Sequence, residues 1–525
     1  MKKLHSLAAV GAVILSLAAP VGLSAQPPQE AKKEASSAPE PQPARWSTDH
    51  SITIGGQTVE YEAVLGSIIL RDDREKATAE LFYTAYFGKT GRGGAAARPI
   101  VFAYNGGPGS ASFWLHMGIM GPRRVVTPVV GQQAPPPYQV VDNQHILLDL
   151  ADIVMVDPVG TGFSRPAGEA EGKDFWGVDE DAASLTQFIR RFLSQHNRWN
   201  SPRYLLGESY GTTRSAVLAG HLQRANIDLN GIVLVSSVLD FNTIGFPDGA
   251  IVPYVVNLPS YAVTSAYLGA LPDGAPADLE AFMTEVEEWA VTEYASTIMA
   301  GSTADPKQRA AALDRMHAYT GLGKEFLEKA HLRVSAPEYE KELLREKGLV
   351  VGRLDARFTG PTGDLLDRTP SHDPQSTAIS SAYTSAFNSY IRSELGYDGD
   401  REYVPSGMAR PWSWERQGRG GGFVRGSVPN VAPDLAAALV RNPRLEILLV
   451  NGIYDLATPY FAAVWTIDNL NLPPDLRDNI ERADFAAGHM MYVEESLLDQ
   501  WRDTLAGFIR RTSGAGAAGA TATSP

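Results

Sequence analysis

Three side chains that together can transfer an acyl group occur in one order along the chain: Ser209, Asp455 and His489. Ser209 is the centre of Gly-Glu-Ser-Tyr-Gly, residues 207–211. A serine hydroxyl is a poor nucleophile until a neighbouring base takes its proton. The G-x-S-x-G pattern is short, so its context has to carry the weight. Here the strand-like "RYLL" precedes it and the helix-like "TTRSAVLAGHLQRA" follows it. A strand–turn–helix junction of this kind lifts the hydroxyl clear of a sheet and sets it near the positive end of a helix. Of the ten histidines, only His489 follows the last strand-like run, "LEILLVNG", and it is the expected base. Asp455 lies just past that run, in "NGIYDLATPY", and is the expected partner of the imidazole, with Asp240, after "GIVLVSSVL", as second candidate. The acid would accept the imidazole N–H, fix the tautomer and stabilise the imidazolium.

A second stretch supplies what such a nucleophile needs next. In "AYNGGPGSAS", Tyr104 to Ser112, successive glycines leave backbone N–H groups open to bind an oxyanion. Gly107 and Tyr210, the residue after the nucleophile, are the expected donors. The G-x-x-x-x-G-K-[ST] phosphate loop is missing, and no histidine pair has metal-binding spacing. Neither cofactor nor metal is therefore expected.

The elements around these residues read as an α/β protein. Apolar residues alternate through "SITIGGQTVEYEAVLGSIIL" and "ATAELFYTAYFG", which predicts antiparallel strands opening a sheet. Short buried-type strands follow at "RPIVFAYN", "ADIVMVDP", "RYLLGES", "GIVLVSSV" and "LEILLVNG", with helical stretches between some of them. That alternation implies a mainly parallel central sheet. Between about Pro253 and Pro429 the strand signal fades and helix-like segments take over. The predicted organisation is a core of residues 46–252 and 430–512, interrupted by a mostly helical cap over 253–429.

Residues 1–25 have a basic start, an apolar run and small residues, the layout of a secretory signal peptide. This predicts a secreted or periplasmic protein with no stable membrane span once the leader is removed. Residues 26–45 and 513–525 have the composition of a disordered linker and tail. The 525 residues are 44% hydrophobic, ample for a large core, and carry a net charge of −14. Basic residues come only as scattered pairs, so no stripe exists to track nucleic-acid phosphates. The absence of cysteine excludes disulfides, thiolate metal sites and a cysteine nucleophile.

Taken in order, "NGGPGSAS" (105–112), "DPVGTGFS" (157–164), "GESYG" (207–211), "NGIYDLATPY" and "GHMMY" (488–492) resemble the serine carboxypeptidase family. The resemblance spans about Arg98 to Tyr492. It implies an α/β-hydrolase fold, a Ser209–Asp455–His489 triad and an oxyanion hole at Gly107 and Tyr210. It also implies release of single residues from peptide C-termini through an acyl-enzyme, often at acid pH. Asn105, Gly106 and Glu208 are then the positions that bind the substrate's terminal carboxylate. The sequence departs from the family at three points. Ile119 stands where a second glutamate is common, Pro459 stands where an asparagine is common, and the cap has no cysteines. An acyltransferase, an esterase or amidase, and a non-catalytic binding protein are the alternative readings.

Two carboxylates within hydrogen-bond distance repel unless they share a proton. If Glu208 meets a substrate carboxylate it should therefore be protonated, with its pKa raised by burial. Loss of that proton at high pH and protonation of His489 at low pH predict a bell-shaped profile that leans acidic for peptides. With Ile119 in place of an acid, His116, Arg123 or Arg124 is a candidate cation for the same carboxylate.

Overall fold

Alternating apolar residues at the start of the core give three long antiparallel strands, β1 (Arg45–Ile54), β2 (Gln57–Arg71) and β3 (Ala77–Gly88). Gly55 and Gly56 both have positive φ and form the two-residue turn that pairs Ile54 with Gln57. The structure is a computed structural model that describes residues 40–89, 97–132, 134–417, 423–424 and 428–514. The predicted leader, most of the predicted linker and nearly all of the predicted tail lie outside the described residues.

Six further strands run parallel to one another: β4 (Ile100–Tyr104), β5 (Asp152–Val156), β6 (Arg203–Glu208), β7 (Gly231–Val235), β8 (Glu446–Gly452) and β9 (Ile480–Phe485). The sheet order is β1-β2-β3-β5-β4-β6-β7-β8-β9, with the short strand Arg165–Pro166 added beside β3. Pairing is antiparallel up to the β3–β5 contact and parallel from there on. The expected mainly parallel α/β-hydrolase sheet is thus observed. Residues β4 to β8 are buried along almost their whole length because both sheet faces are covered.

The period-two geometry of strands splits the core into two layers. Leu205, Ile232, Leu234, Ile447 and Leu449 face one layer, which holds α1 (Val178–Gln195), α2 (Tyr210–Arg224) and α3 (Val252–Tyr267). Tyr204, Leu206, Val233, Val235, Leu448 and Val450 face the other, which holds α4 (Pro374–Ser393) and α6 (Leu498–Thr512). Between them in sequence, α5 (Tyr460–Asp468) follows β8.

The long connection from β7 to β8 is mostly helical. It runs through α3, Leu279–Trp289, Pro306–Thr320, Lys324–Lys329, Ala336–Glu342 and α4. It also contains a two-stranded ribbon, Leu349–Val351 with Thr359–Pro361. The loop at the end of this ribbon, residues 352–358, reaches the C-terminal ends of β8 and β9. It matters more to the site than the helices do.

Candidate active site

The turn between β6 and α2 is sharp because its residues pack backbone against backbone. Ser209 has φ 62° and ψ −128°, a conformation that non-glycine residues adopt rarely and at a cost of about 1–3 kcal/mol. Its N–H donates to Val235 O at 2.9 Å, which ties the turn to β7. A Cβ on Gly207 would sit 2.2 Å from Gly211 O. A Cβ on Gly106, in the loop after β4, would sit 2.4 Å from Tyr210 N and 2.6 Å from Gly211 N. The Asn105–Gly106–Gly107 loop therefore lies directly on the serine turn, an approach only glycine permits.

Tyr210 is the first residue of α2, where the N–H has no preceding carbonyl within the helix. Gly107 has φ +103° and lines the same cavity as Ser209. Gly107, next to Gly106, and Tyr210 thus lie on backbone segments that pack against each other. The loop that carries Gly107 is held from below by a buried ion pair. Arg214 Nε donates to Asp181 Oδ2 at 2.6 Å and its Nη1 donates to Asn105 O at 2.6 Å. Loop 404–406 holds it from the side, where Ala111 N donates to Pro405 O.

His489 Nδ1 donates to Asp455 Oδ2 at 2.7 Å. An ionised carboxylate can only accept, so Nδ1 carries the proton and Nε2 is the basic nitrogen. The remaining acceptor capacity of Asp455 is filled by Ala457 N (2.7 Å), Thr458 N (3.0 Å) and Thr458 Oγ1 (2.8 Å). The histidine backbone is fixed at both ends. His489 N donates to Leu354 O at 2.6 Å, and Ser236 Oγ donates to His489 O at 2.7 Å. Burial alone would lower the His489 pKa. The charge and hydrogen bond of Asp455, followed by the charge of Glu208, outweigh it and hold the imidazole above its ordinary value. His489 and Ser209 line one cavity of about 250 Å³, but no hydrogen bond joins their side chains among the described residues.

Glu208 is buried at the floor of that cavity. Asn105 Nδ2 donates to its Oε1 at 2.7 Å, and Leu115 N fixes Asn105 by donating to its Oδ1 at 3.0 Å. The Tyr492 phenol lies beside the carboxyl but outside hydrogen-bond geometry, so Glu208 Oε2 and Tyr492 Oη are both unpartnered. Burial pushes the Glu208 pKa up to about 7, against the smaller opposing effects of His489, Tyr492 and Asn105.

The other sequence candidates fall elsewhere. Asp240 caps a short helical turn through Asn242 N and lines a different cavity, beside Asn430 and Trp465. His116 is buried against Tyr86, whose hydroxyl lies 2.5 Å from its Nε2, and burial pushes its pKa down to about 3. Arg123 pairs with Asp142 and Glu394, and Arg124 with Glu495. None of the three lines the serine cavity. Ile119 is buried in a π-helical turn, His116–Met120, that lays Gly118 against the ring of Tyr492.

Sequence reasoning missed the 352–358 loop. Asp355 and Arg357 form a buried ion pair at 2.7 Å, and Arg357 also bonds Glu494 at 2.9 Å. Asp355 Oδ2 accepts Gly488 N at 3.2 Å, Arg353 O accepts Leu456 N at 3.0 Å, and Ala356 N donates to Tyr454 O at 2.9 Å. Glycines allow this crossing. A Cβ on Gly452 would sit 2.0 Å from Gly488 O, and one on Gly488 would sit 2.4 Å from the Asp355 Cβ. The loops bearing Asp455 and His489 are thereby clamped together by a third segment. The only sequence signal was the paired Asp and Arg of "RLDARF", which spacing alone does not attach to any site. Thr458 was likewise invisible as a support of the acid.

The serine carboxypeptidase family model matches residues 60–246, which include the Asn105 loop, "DPVGTGFS" and the Ser209 turn. Asp455 and His489 lie beyond the matched residues. No curated protein sequence matches the chain. Among solved structures, the chain is similar to Kex1Δp, a prohormone-processing carboxypeptidase from Saccharomyces cerevisiae. The two are 17% identical, the likeness covers 85% of this chain and 91% of that one, and the TM-score is 0.54. A proline iminopeptidase of Mycobacterium smegmatis is 14% identical over 86% of this chain and 99% of its own, with a TM-score of 0.36. The chain is thus similar to serine carboxypeptidases over residues 60–246, and its fold is that of the α/β-hydrolases.

Proposed function

We propose that the protein releases C-terminal residues from peptides through an acyl-enzyme formed on Ser209. His489 Nε2 takes the hydroxyl proton as Ser209 Oγ attacks the last peptide carbonyl, and then delivers it to the departing amino acid. Asp455 orients the ring and stabilises the imidazolium. The N–H groups of Gly107 and Tyr210 bind the oxyanion. Water, activated by the same imidazole, then releases the shortened peptide.

The observation that carries this reading is the combination in one cavity of Ser209, the Asp455-bound His489 and the half-satisfied Glu208. A protonated Glu208 has one oxygen engaged by Asn105 and an O–H to offer. A terminal carboxylate is the group that accepts it, helped by the Asn105–Gly106 backbone. Such a site reads the end of a chain, which an esterase or endopeptidase has no need to do. The basic limb set by Glu208 makes the profile for peptides lean acidic relative to that for esters. The N-terminal 25 residues, read as a signal peptide, fit an enzyme that acts outside the cytoplasm.

Mass spectrometry of one peptide, free and C-terminally amidated, incubated with the protein from acid to neutral pH tests this. Stepwise loss of single residues from the free peptide, with the amidated one spared, is the expected result. Internal cleavage, or equal attack on both, would rule the reading out.

A further inference from the structure

One wall of the serine cavity is formed by residues that the reaction does not use, and one of them carries a charge. Arg353, Leu354, Ser376 and Ile379 line it, facing the cavity that Asn105, Glu208, Ser209 and His489 line from the core side. Arg353 comes from the 352–358 loop and Ser376 from the first turn of α4. Their backbones are joined through one carboxylate. Asp373 accepts Arg353 N at 2.7 Å and Leu354 N at 3.2 Å on one oxygen, and Ser376 N at 2.7 Å on the other. Arg353 O is also held, by Leu456 N at 3.0 Å. The root of this side chain is therefore fixed at the cavity.

The guanidinium itself is not used. Arg353 is exposed, and among the described residues its side chain makes no hydrogen bond, ion pair or ring contact. The other arginines around the site are committed: Arg214 to Asp181, Arg357 to Asp355 and Glu494, Arg123 to Asp142 and Glu394, and Arg124 to Glu495. Of the carboxylates near Arg353, Asp355 is taken by Arg357 and Gly488 N, Asp373 spends both oxygens on backbone N–H groups, and the buried Glu340 feels the Arg353 charge without bonding it. Only Glu208, His489 and Arg353 among the cavity-lining residues can carry charge. In the form competent for the proposed reaction, Glu208 is protonated and His489 is neutral. Arg353 is then the one positive charge among the cavity-lining residues, in a fork geometry that matches a carboxylate.

We propose that Arg353 selects peptides with an acidic side chain next to the scissile bond, binding that second carboxylate while the terminal carboxylate is read by Asn105, Gly106 and Glu208. This deepens the carboxypeptidase reading and rests on it. It gives the 352–358 loop two tasks on one stem: its backbone steadies the catalytic loops, and its first side chain meets the substrate.

The test compares kcat/KM for blocked peptides that differ only in Glu against Gln, placed either at the last residue or at the one before it. At low salt and below pH 7, the wild type should favour Glu over Gln by about five- to tenfold at one of the two positions, and by less at high salt. Arg353→Gln should bring that ratio to near one, and Arg353→Lys should leave it in between. Arg353→Glu should reverse the preference toward Lys, which damage to the fold could not produce. A wild type that does not distinguish Glu from Gln at either position overturns the proposal. So does an Arg353→Gln variant that loses activity equally on both members of each pair, since that is the signature of a contact with the terminal carboxylate or with the loop. Release of a residue from the Gln peptides by the wild type separately upholds the carboxypeptidase reading, whatever the ratio. No release from any peptide, with Ser209 still labelled by a fluorophosphonate, points to failure of that reading instead.

Discussion

Asn105 Nδ2 donates to Glu208 Oε1 at 2.7 Å, and the other oxygen of that buried carboxyl has no partner. A neutral Glu208 satisfies this arrangement. The amide N–H meets the carbonyl oxygen and the acid proton remains on Oε2 for an acceptor. An ionised Glu208 would present a charged, unsatisfied oxygen to a buried space, which burial disfavours. The pair is therefore built for the protonated acid.

The pH profile follows from this. Glu208, raised to about 7, loses its proton as pH rises through that value, and a peptide's terminal carboxylate is then repelled. His489, raised above its ordinary 6.5, must lose its proton before it can act as base. The two groups titrate as a pair, and the apparent values belong to both. The prediction is a narrow bell for peptide kcat/KM, falling about tenfold per unit on its basic side. Glu208→Gln should remove that basic limb, and an ester without a free carboxylate should never show it. Steady-state profiles on both substrates read this out; a basic limb retained in the variant would remove Glu208 from the explanation.

Stability should change in the same window. The folded protein holds the Glu208 proton to about 7, while the unfolded chain releases it near 4.5. The folded state thus binds more protons between those values, and stability falls as pH rises through that range. A glutamine cannot ionise, so Glu208→Gln should be the more stable protein at pH 8, by about 3 kcal/mol. It should gain little at pH 4. Thermal melts of both proteins at the two pH values check this.

Loss of the acid should cost catalysis through orientation. Asp455→Asn turns an acceptor into a donor opposite Nδ1–H, and kcat should fall about 10⁴-fold. Thr458→Val removes one of the bonds that fix Asp455 and should cost roughly tenfold, in kcat more than in KM. Ser209→Ala should abolish labelling by a fluorophosphonate.

Strand–turn–helix order was legible because each piece is local. "RYLLGESYGTTRS" contains its own turn, and the alternation after Ser51 contains its own hairpins. Strands β4 to β8 were readable as apolar runs; the sixth parallel strand, "IERADF", was not, because as an edge strand it is mostly half-exposed and charged. His489 was reachable through its position after the last apolar run. The Asp355–Arg357 clamp was not, since its partners Gly488 and Glu494 lie more than 130 residues away. His116, Arg123 and Arg124 looked available from their closeness to the Asn105 loop in sequence. The π-helical turn at His116–Met120 and the strand after it carry all three away from the cavity.

The Gly106 contact should be intolerant of any side chain. A Cβ there meets Tyr210 N at 2.4 Å, so Gly106→Ala must push the Asn105 loop off the serine turn. The expected result is a folded protein with kcat down at least a hundredfold, because Gly107 and Tyr210, the proposed oxyanion donors, move apart. Circular dichroism and steady-state rates on an ester distinguish this from simple unfolding.

Breaking the clamp is a harsher change. Arg357→Met leaves Asp355 buried without its partner, which should cost about 3–5 kcal/mol. The double change of Asp355 and Arg357 to apolar residues should recover much of the stability but not the activity. Denaturant unfolding paired with single-turnover rates separates the two effects.

The clamp also limits how this protein can be rebuilt. A connection that is spliced into the core at two distant points is usually treated as interchangeable, so that one recognition surface can be exchanged for another. Here the piece between β7 and β8 carries a keystone: residues 352–358 lock the acid loop to the histidine loop. A transplant of the whole connection from another protein would carry the keystone away with the surface. One that exchanges the helices before Leu349 and keeps the ribbon in place would leave the catalytic loops their native support. New substrate preferences are therefore best sought by exchange on the helical side of that boundary.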